Sequence, residues 1–413
     1  MPIKVGKSII EYLSEPVYIS ILKPIKTISD KKFPLLIMLG DVHGTPLNTC
    51  KDNVKYYDII KFIKSFDNYD DSKYIIDFYV EKEFSKTTIK QKLIKQNEKD
   101  VISSDVLFNP IIEETYEIDE PLIKLRNFYD CYNKIENGNC PTKKIHWHYI
   151  DLRFGNVSDE QYLCSILLRL FQDINEPRFE KLLNKEDINY INSIPNSYTL
   201  LYIIDSIIEN SNIKILFTTF FPILNKEISK VKIYSKDELI SYFNKYYNYL
   251  VNNEYNNIIK TQINVRTIKK IKKIAMISEE FEKNYNNITE NALKIARKSI
   301  LFHIVIEIYF ILRFLKEIDD ERKTVLNISF LGAFHTKNIE YFFTEILGLY
   351  EIVKNYKSDY YGRCIHINED VNIEKLIQEQ YSDFKFIDIL DGKKTKSKKK
   401  RSQRKKRSQR KKS

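Results

Sequence analysis

The sequence predicts an α/β fold with a mainly parallel central sheet flanked by helices, a large helical insertion and a disordered basic C-terminal tail. Three observations support this prediction. Short apolar runs alternate with amphipathic segments in both halves of the chain, as in proteins whose parallel strands are joined by helices. Residues 156–320 have a mostly helical pattern, and the final residues are basic or uncharged polar types.

Four apolar runs have the length and composition of buried strands. They comprise residues 33–39, 74–80, 145–150 and 325–331, and residues 17–22 and 364–367 are weaker candidates. Amphipathic helices are predicted after the first and the fourth run, and Asp52 is the predicted N-cap of the earlier helix. Their apolar positions are Tyr56, Ile59, Ile60, Ile63 and Phe66 in the first, and Ile339, Phe342, Phe343, Ile346 and Leu349 in the second.

These patterns divide the chain into four parts. Residues 1–155 form the N-terminal half of the α/β core, and residues 156–320 form the helical insertion. Residues 321–392 form the C-terminal part of the core, and residues 393–413 form the tail. The insertion ends in a long predicted helix from about Thr289 to Glu317, whereas residues 244–257 are also compatible with coil. The tail has 14 Lys or Arg and no acid, so repulsion between like charges is expected to keep it disordered.

Composition indicates a globular protein with one strongly charged segment. Hydrophobic residues make up 43% of the sequence, which is enough to bury a core. The net charge is +11, and removing the 14 charges of the tail leaves 11 − 14 = −3 for residues 1–392. The basic character is therefore confined to the tail. The abundance of Ile, Lys, Asn and Tyr is typical of an AT-rich genome.

The cysteines and the N-terminus predict an intracellular protein, cytoplasmic or nuclear and not secreted. The five cysteines form no CxxC pair and are expected to be free thiols in a reducing compartment. They are Cys50, Cys131, Cys140, Cys164 and Cys364. The first residues contain no apolar core of signal-peptide type. The most apolar stretch, residues 300–315, includes Glu307 and Arg313 and is interpreted as a buried helix rather than a transmembrane segment.

Polar side chains follow the four predicted strands at the point where each strand ends. They are Asp41 and His43, Glu81 and Glu83, Asp151 and Arg153, and His335. In open parallel α/β sheets, ligands bind beyond the carboxyl ends of the strands. The sequence therefore predicts a functional site at this edge, and the candidate catalytic residues are His43, Glu81, His335, Asp41, Asp151 and Arg153.

Two of these strand ends share the pattern Gly-x-x-His, as GDVH at residues 40–43 and GAFH at residues 332–335. Gly40 and Gly332 are expected to allow backbone angles that a larger residue resists. The chain can then turn and place a histidine over the sheet edge. This repetition is the most specific feature of the sequence.

Two kinds of chemistry suit these residues. In the first, His43, Glu81 and His335 bind one divalent metal ion, with Asp41 or Asp151 as a further ligand or hydrogen-bonding partner. A metal-bound water is then the nucleophile. In the second, no metal is needed. His43 acts as general base on water, and Arg153 or His335 stabilises the oxyanion.

Each residue also has a structural interpretation. A turn explains Asp41, and a position in a turn or in the core explains His43. A surface ion pair with Lys82 or another base explains Glu81. Asp151 and Arg153 alternate onto one strand face, where an ion pair is the favoured interpretation.

The remaining histidines are assigned structural roles. His146 and His148 share one face of a strand and are interpreted mainly as packing residues. His303 and Glu307 lie four positions apart on the predicted buried helix, where they are expected to satisfy each other. His366 is also interpreted as structural.

GDVH, the strand-end Glu81 and LGAFH resemble, in this order, the motifs of a superfamily that groups erythromycin-esterase-like, ChaN-like and TraB/Tiki-like proteins. The resemblance covers residues 33–155 and 322–370. It implies that His43, Glu81 and His335 are site residues. The superfamily includes esterases that are thought to use His without metal, metal-dependent proteases and haem binders, so the resemblance does not imply one reaction.

GDVHG also resembles the first motif of calcineurin-like metallophosphoesterases, in which Asp and His begin a two-metal site. That family needs an Asn-His element downstream, and the chain contains no Asn-His dipeptide. Because this element is missing, metallophosphoesterase activity is kept only as an alternative.

The tail indicates a second function that does not depend on the sheet edge. Its positive charges can bind nucleic acid through the phosphates without sequence preference, and nuclear import or acidic lipid would use the same charges. The candidate nucleic-acid-binding residues are Lys399, Lys400, Arg401, Arg404, Lys405, Lys406, Arg407 and Arg410.

The leading interpretation is a hydrolase of ester or peptide bonds with an unknown small-molecule or peptide substrate. The sequence leaves open whether the chain is an active enzyme. Besides the metallophosphoesterase, the alternative is a catalytically inert binding protein that holds nucleic acid through its tail.

Overall fold

The computed structural model shows an α/β protein built on a six-stranded sheet. The structure describes residues 2–28, 30–41, 50, 54–83, 125, 142–151, 213, 216–217, 222–254, 304–316, 321–358 and 363–387. The described strands are β1 (Ile3–Val5), β2 (Ser8–Ile10), β3 (Tyr12–Ser14), β4 (Tyr18–Pro24), β5 (Leu35–Asp41), β6 (Tyr74–Glu83), β7 (His146–Asp151), β8 (Lys323–Gly332), β9 (Tyr350–Lys357), β10 (Cys364–His366) and β11 (Val371–Asn372). The described α-helices are α1 (Ile59–Ser65), α2 (Pro222–Ile228), α3 (Lys236–Tyr249), α4 (Val305–Leu315), α5 (Ala333–Tyr341) and α6 (Ile373–Gln378).

The central sheet has the strand order β7-β6-β8-β5-β4-β9. Strands β7, β6, β8 and β5 run parallel to one another, whereas β4 pairs antiparallel with both β5 and β9. The predicted α/β fold with a largely parallel sheet is therefore confirmed, and β4 makes the sheet mixed. The four predicted strands are present as β5 to β8, and the two weaker candidates are β4 and β10.

The two faces of the sheet differ in polarity. On the face that packs against α1 and α6, here called the α1 face, side chains such as Phe78 and Ile328 form an apolar core. The opposite face packs against α2, α3 and α4 and is called the α4 face. It combines apolar residues such as Met38 with the buried polar residues Asp77 and Ser329. Buried polar groups need partners, so the α4 face is where polar chemistry is expected.

The described part of the predicted insertion is helical. Helices α2, α3 and α4 all lie within residues 156–320. The stretch predicted as either helix or coil is α-helical up to Tyr249 and continues as a π-helix over Leu250–Glu254. Helix α3 begins with a capping box, in which the Ser235 side chain accepts from the Glu238 N–H and the Glu238 side chain accepts from the Ser235 N–H. Helix α4 ends at Leu315 because Lys316 has an extended backbone.

Helix α1 starts later than predicted. Its N-cap is Asp58, whose side chain accepts a hydrogen bond from the Lys61 N–H, and not Asp52. The predicted basic tail lies outside the described residues. Among the helices that the structure describes, none has both the length and the apolar content needed to cross a bilayer.

Strand β8 enters the sheet between β5 and β6, although it follows both in the sequence. The register pairs Asp41 with Gly332, Val80 with Phe330, and Glu83 with Asp151. The carboxyl ends of β5, β8, β6 and β7 are therefore level at one edge. This topology places the start of α5 beside the end of β6.

Gly40 is needed for a close approach of the chain and not for an unusual backbone angle. A Cβ atom at Gly40 would lie 2.8 Å from the Ala333 Cα and 3.2 Å from the Tyr18 Cβ. Gly332 has φ −53 and ψ 140, which any residue can adopt. The expected reason for both glycines was therefore wrong: Gly40 lets the start of α5 pack directly on the end of β5.

Replacement of Gly40 by alanine is expected to destabilise the protein by about 1–3 kcal/mol, as overpacking in a tight interior does. The new Cβ would press against backbone atoms of Ala333, which cannot rotate away. Urea unfolding followed by circular dichroism measures the change. An unchanged midpoint and slope would contradict this account of Gly40.

Candidate functional site

His335 lies in the first turn of α5, directly after β8, and its side chain is buried. Its Nδ1 atom is 2.8 Å from Oε1 of Glu307, which is a hydrogen-bond distance. Its Nε2 atom is 3.9 Å from Oε1 of Glu81. The imidazole is thus placed between two carboxylates, one on the central sheet and one on α4.

Glu307 is fully buried and has three hydrogen-bond donors around it. Besides His335, the Tyr246 hydroxyl donates to Oε2 at 2.5 Å and the Asn338 amide donates to Oε1 at 2.9 Å. An ionised carboxylate can only accept hydrogen bonds, so the imidazole donates from Nδ1. The other ring nitrogen of His335, Nε2, faces Glu81.

Glu81 directly follows Val80, the last residue of β6 that pairs with β8, and is also buried. Its Oε2 atom accepts a hydrogen bond of 2.8 Å from the backbone N–H of Gly332, the N-cap residue of α5. The positive end of the helix dipole attracts a carboxylate at this position. Glu81 is thereby held against the start of the helix that carries His335.

Asp41 belongs to a different contact group. Its Oδ1 atom lies 3.6 Å from Nη1 of Arg363, and both side chains are buried. Strand alternation places Asp41 on the α1 face together with Leu39, whereas Glu81 follows Tyr79 on the α4 face. The ends of β5 and β6 lie at the same edge, but the side chains of Asp41 and Glu81 lie on opposite faces of the sheet.

Asp151 is buried at the end of β7, and alternation places it on the same side as Tyr149, on the α1 face. Its predicted partner Arg153 lies outside the described residues, as does His43. Of the six predicted catalytic residues, the structure therefore brings Glu81 and His335 together. The roles predicted for His43 and Arg153 stay predictions.

Sequence reasoning missed Glu307, Tyr246, Asn338 and Arg363 as partners in these groups. Glu307 was assigned to His303, which lies outside the described residues, so that contact stays a prediction. The structure shows Glu307 bound to His335. A signal for Glu307 was present, because it is the one acid in the apolar sequence VIEIYFILRFL of α4. A buried acid in such a helix needs partners from elsewhere in the fold. Arg363 has no comparable signal in the sequence.

Of the three predicted metal ligands, the structure brings Glu81 and His335 together. Glu81 Oε1 and His335 Nε2, 3.9 Å apart, could both reach one cation at typical bond lengths of about 2.1 Å. In the described part of the chain, no group of three or more His, Cys, Asp or Glu residues could hold a metal ion. The third predicted ligand, His43, lies outside that part, so the set His43, Glu81 and His335 stays a prediction.

Cys50 and Cys364 form a disulfide, which corrects the expectation of free thiols for these two residues. Cys50 lies in the segment after β5, and Cys364 is the first residue of β10. The bond therefore connects two parts of the chain that are 314 residues apart in sequence. Arg363, the partner of Asp41, directly precedes Cys364. The predicted intracellular location rested partly on free thiols, and disulfides are more typical of oxidising compartments.

Comparison of the chain with protein-family models, with curated proteins and with solved structures gave no match. The candidate site therefore rests on its own geometry and on the motif resemblance.

Replacing Glu307 by glutamine is expected to lower the free energy of unfolding by about 2 kcal/mol, because hydrogen bonds to a buried charge are lost. The glutamine amide would also face the donors Tyr246 and Asn338. Urea unfolding measures the loss. The exposed Glu345→Gln is the matched control and should change stability by less than about 0.5 kcal/mol; equal effects in both variants would contradict the assigned network.

Reduction of the Cys50–Cys364 bond is expected to destabilise the protein by up to about 5 kcal/mol, because the bond closes a very long loop. Urea unfolding with and without a dithiol reductant measures this loss, and alkylation with mass spectrometry shows which cysteines are protected. Cys364→Ser should abolish the response to reductant, whereas Cys131→Ser should keep it. Free alkylation of Cys364 in the unreduced native protein would disprove the pairing.

Proposed function

We propose that the chain is a hydrolase of ester or peptide bonds in which His335 transfers the proton of the attacking water. The observation that carries this proposal is the placement of His335 between Glu307 and Glu81 at the carboxyl edge of a parallel sheet. Ligand sites in open α/β sheets lie at this edge.

Glu307 would act as the orienting group. Its hydrogen bond holds the proton of the imidazole on Nδ1 and leaves Nε2 able to accept a proton. A carboxylate that orients a histidine in this way is the common arrangement of general-base catalysis in acyl transfer. As His335 becomes positively charged, the adjacent carboxylate stabilises that charge.

Glu81 would hold the water at the other side. The 3.9 Å between its Oε1 and His335 Nε2 is too long for a hydrogen bond. Two atoms at this separation can both lie about 2.8 Å from a third, so one water molecule can bond to both. The Gly332 N–H keeps Glu81 in place for this role.

The motif resemblance supports the same two residues. Glu81 and His335 occupy the positions that the erythromycin-esterase, ChaN and TraB/Tiki-like pattern assigns to the site, and that pattern adds His43. In a metal-dependent version, Glu81 and His335 would be ligands of one divalent ion that activates the water. The alternatives, a metallophosphoesterase and an inert protein with a nucleic-acid-binding tail, remain predictions from the sequence.

A screen of ester, peptide and phosphoester substrates tests the proposal, with and without added divalent metal. His335→Gln is expected to lower the rate on a cleaved ester or peptide at least about a hundredfold, as loss of a general base does. His366→Gln is the matched control, because that histidine is exposed on β10. Circular dichroism checks that both variants fold.

Two outcomes would overturn the assignment. Cleavage of esters or peptides that is equal in His335→Gln and wild type would remove His335 from the mechanism. Cleavage of phosphoesters alone would favour the metallophosphoesterase instead.

A further inference from the structure

A second polar cluster, built around the buried carboxylates of Asp77 and Glu227, lies along β6 and β7, in the part of these strands that precedes the sheet edge. We call it the Asp77 cluster; its members are Glu227, Arg313, His148, Asp77 and His146. Asp77 Oδ1 lies 2.9 Å from His148 Nε2 and 3.6 Å from His146 Nδ1. On its other side, His148 Nδ1 lies 3.1 Å from Arg313 Nη2, and Arg313 Nη1 lies 3.9 Å from Glu227 Oε2. The prediction that His146 and His148 mainly fill space was therefore incomplete.

The contacts determine where His148 carries its proton. A guanidinium group only donates hydrogen bonds, so Nδ1 of His148 must accept from Arg313. The proton therefore lies on Nε2 and is donated to Asp77. Both contacts are satisfied by a neutral imidazole.

Protonation of His148 is incompatible with this arrangement. A second proton would occupy Nδ1 and point at the guanidinium of Arg313, placing two donors and two positive charges 3.1 Å apart. The positive charge of the imidazole would strengthen the existing hydrogen bond to Asp77, but it would add no new hydrogen bond there. Arg313 would have to leave His148, and Glu227 provides an alternative partner.

Two further titratable groups near His148, Tyr79 and Lys316, keep their charge state in mildly acidic solution. From β6, Tyr79 stacks on the imidazole, and burial raises the pKa of Tyr79 well above its usual value, so it stays neutral. Tyr309 lies nearby on α4. At the end of α4, burial and the charge of Arg313 lower the pKa of Lys316 to about 8, so it remains mainly charged at and below neutral pH.

Helix α2 contributes opposite charges to the same region. Lys230, which follows α2, pairs with Glu227 at 2.6 Å, and Glu227 also faces Arg313. On β7, His146 is partly exposed and faces Asp77. His146 is the other histidine of the cluster, and it requires its own control.

We propose that His148 and Arg313 form a proton-sensitive contact that holds α4 on the sheet and opens when His148 is protonated. Arg313 lies in the last turn of α4, and Glu307 lies in the first turn of the same helix. Six residues of helix separate them by about 9 Å. The contact therefore helps to position Glu307, the carboxylate that orients His335.

The effect on Glu307 and on catalysis rests on the proposed function, whereas the contact itself does not. Hydrogen exchange of the full chain, read by mass spectrometry at about pH 7 and about pH 5.5, measures it without a substrate. The intrinsic exchange rate of the amides also changes with pH. The measured rates are therefore divided by the intrinsic rate at each pH, and the remaining difference is the change in protection. In wild type, peptides from α4 should lose about tenfold in protection at the lower pH, while α1 should not.

Two variants on the same strand face separate the histidines. In His148→Gln, a neutral amide can accept from Arg313 and donate to Asp77, so the acid response of α4 should disappear. In His146→Gln the response should remain. An unchanged wild-type α4, a response that persists in His148→Gln, or one that disappears in His146→Gln would overturn the proposal.

A spectroscopic measurement supports the test if His148→Gln does not fold. Nitrogen-15 NMR of wild type at neutral pH should show His148 with its proton on Nε2 and an unprotonated Nδ1. A proton on Nδ1 would overturn the proposal. If these results hold but no hydrolysis is found, the contact stands and the proposed catalytic function fails.

Discussion

The buried carboxylate of Glu307 is the constraint around which the helices above the sheet are arranged. A carboxylate in the interior is tolerated only with several hydrogen-bond donors, because a buried charge without them is costly. The donors come from α3 through Tyr246 and from α5 through His335 and Asn338. Helices α3, α4 and α5, which come from different parts of the sequence, therefore meet at the Glu307 carboxylate. The same requirement that stabilises this packing also orients His335, so the packing and the proposed chemistry depend on one interaction.

Local patterns in the sequence were sufficient to predict the class of fold and the strands that carry it. The apolar runs of β5 to β8 and the Gly-x-x-His repeat indicated the sheet edge and identified His335. Non-local relations were not predictable, because spacing along a helix reports only neighbours on that helix. Glu307 was therefore predicted to meet His303 four residues away, and its contact with His335 was not predicted. The disulfide between Cys50 and Cys364, 314 residues apart, carries no local signal at all.

The two faces of the central sheet differ in the side chains that they carry. The α1 face packs apolar side chains and provides much of the core, with the Asp41–Arg363 pair at its carboxyl edge. The α4 face carries two groups of buried ionisable residues, one around Glu307 and one around Asp77. Both are completed by side chains of α4. Because the helical insertion supplies that helix, the proposed chemistry depends on the insertion as much as on the α/β core.

The central position of β8 also has a consequence for how the chain reaches this structure. Strands β5 and β6 are made early in synthesis, yet their shared neighbour begins only at Lys323. Until β8 emerges, each has an unpaired edge toward the gap that β8 will fill, and such edges are prone to aggregation. The N-terminal half is therefore not expected to fold alone as a nascent domain. Sheet completion comes late, and the same step that joins the two halves also delivers His335 to Glu81.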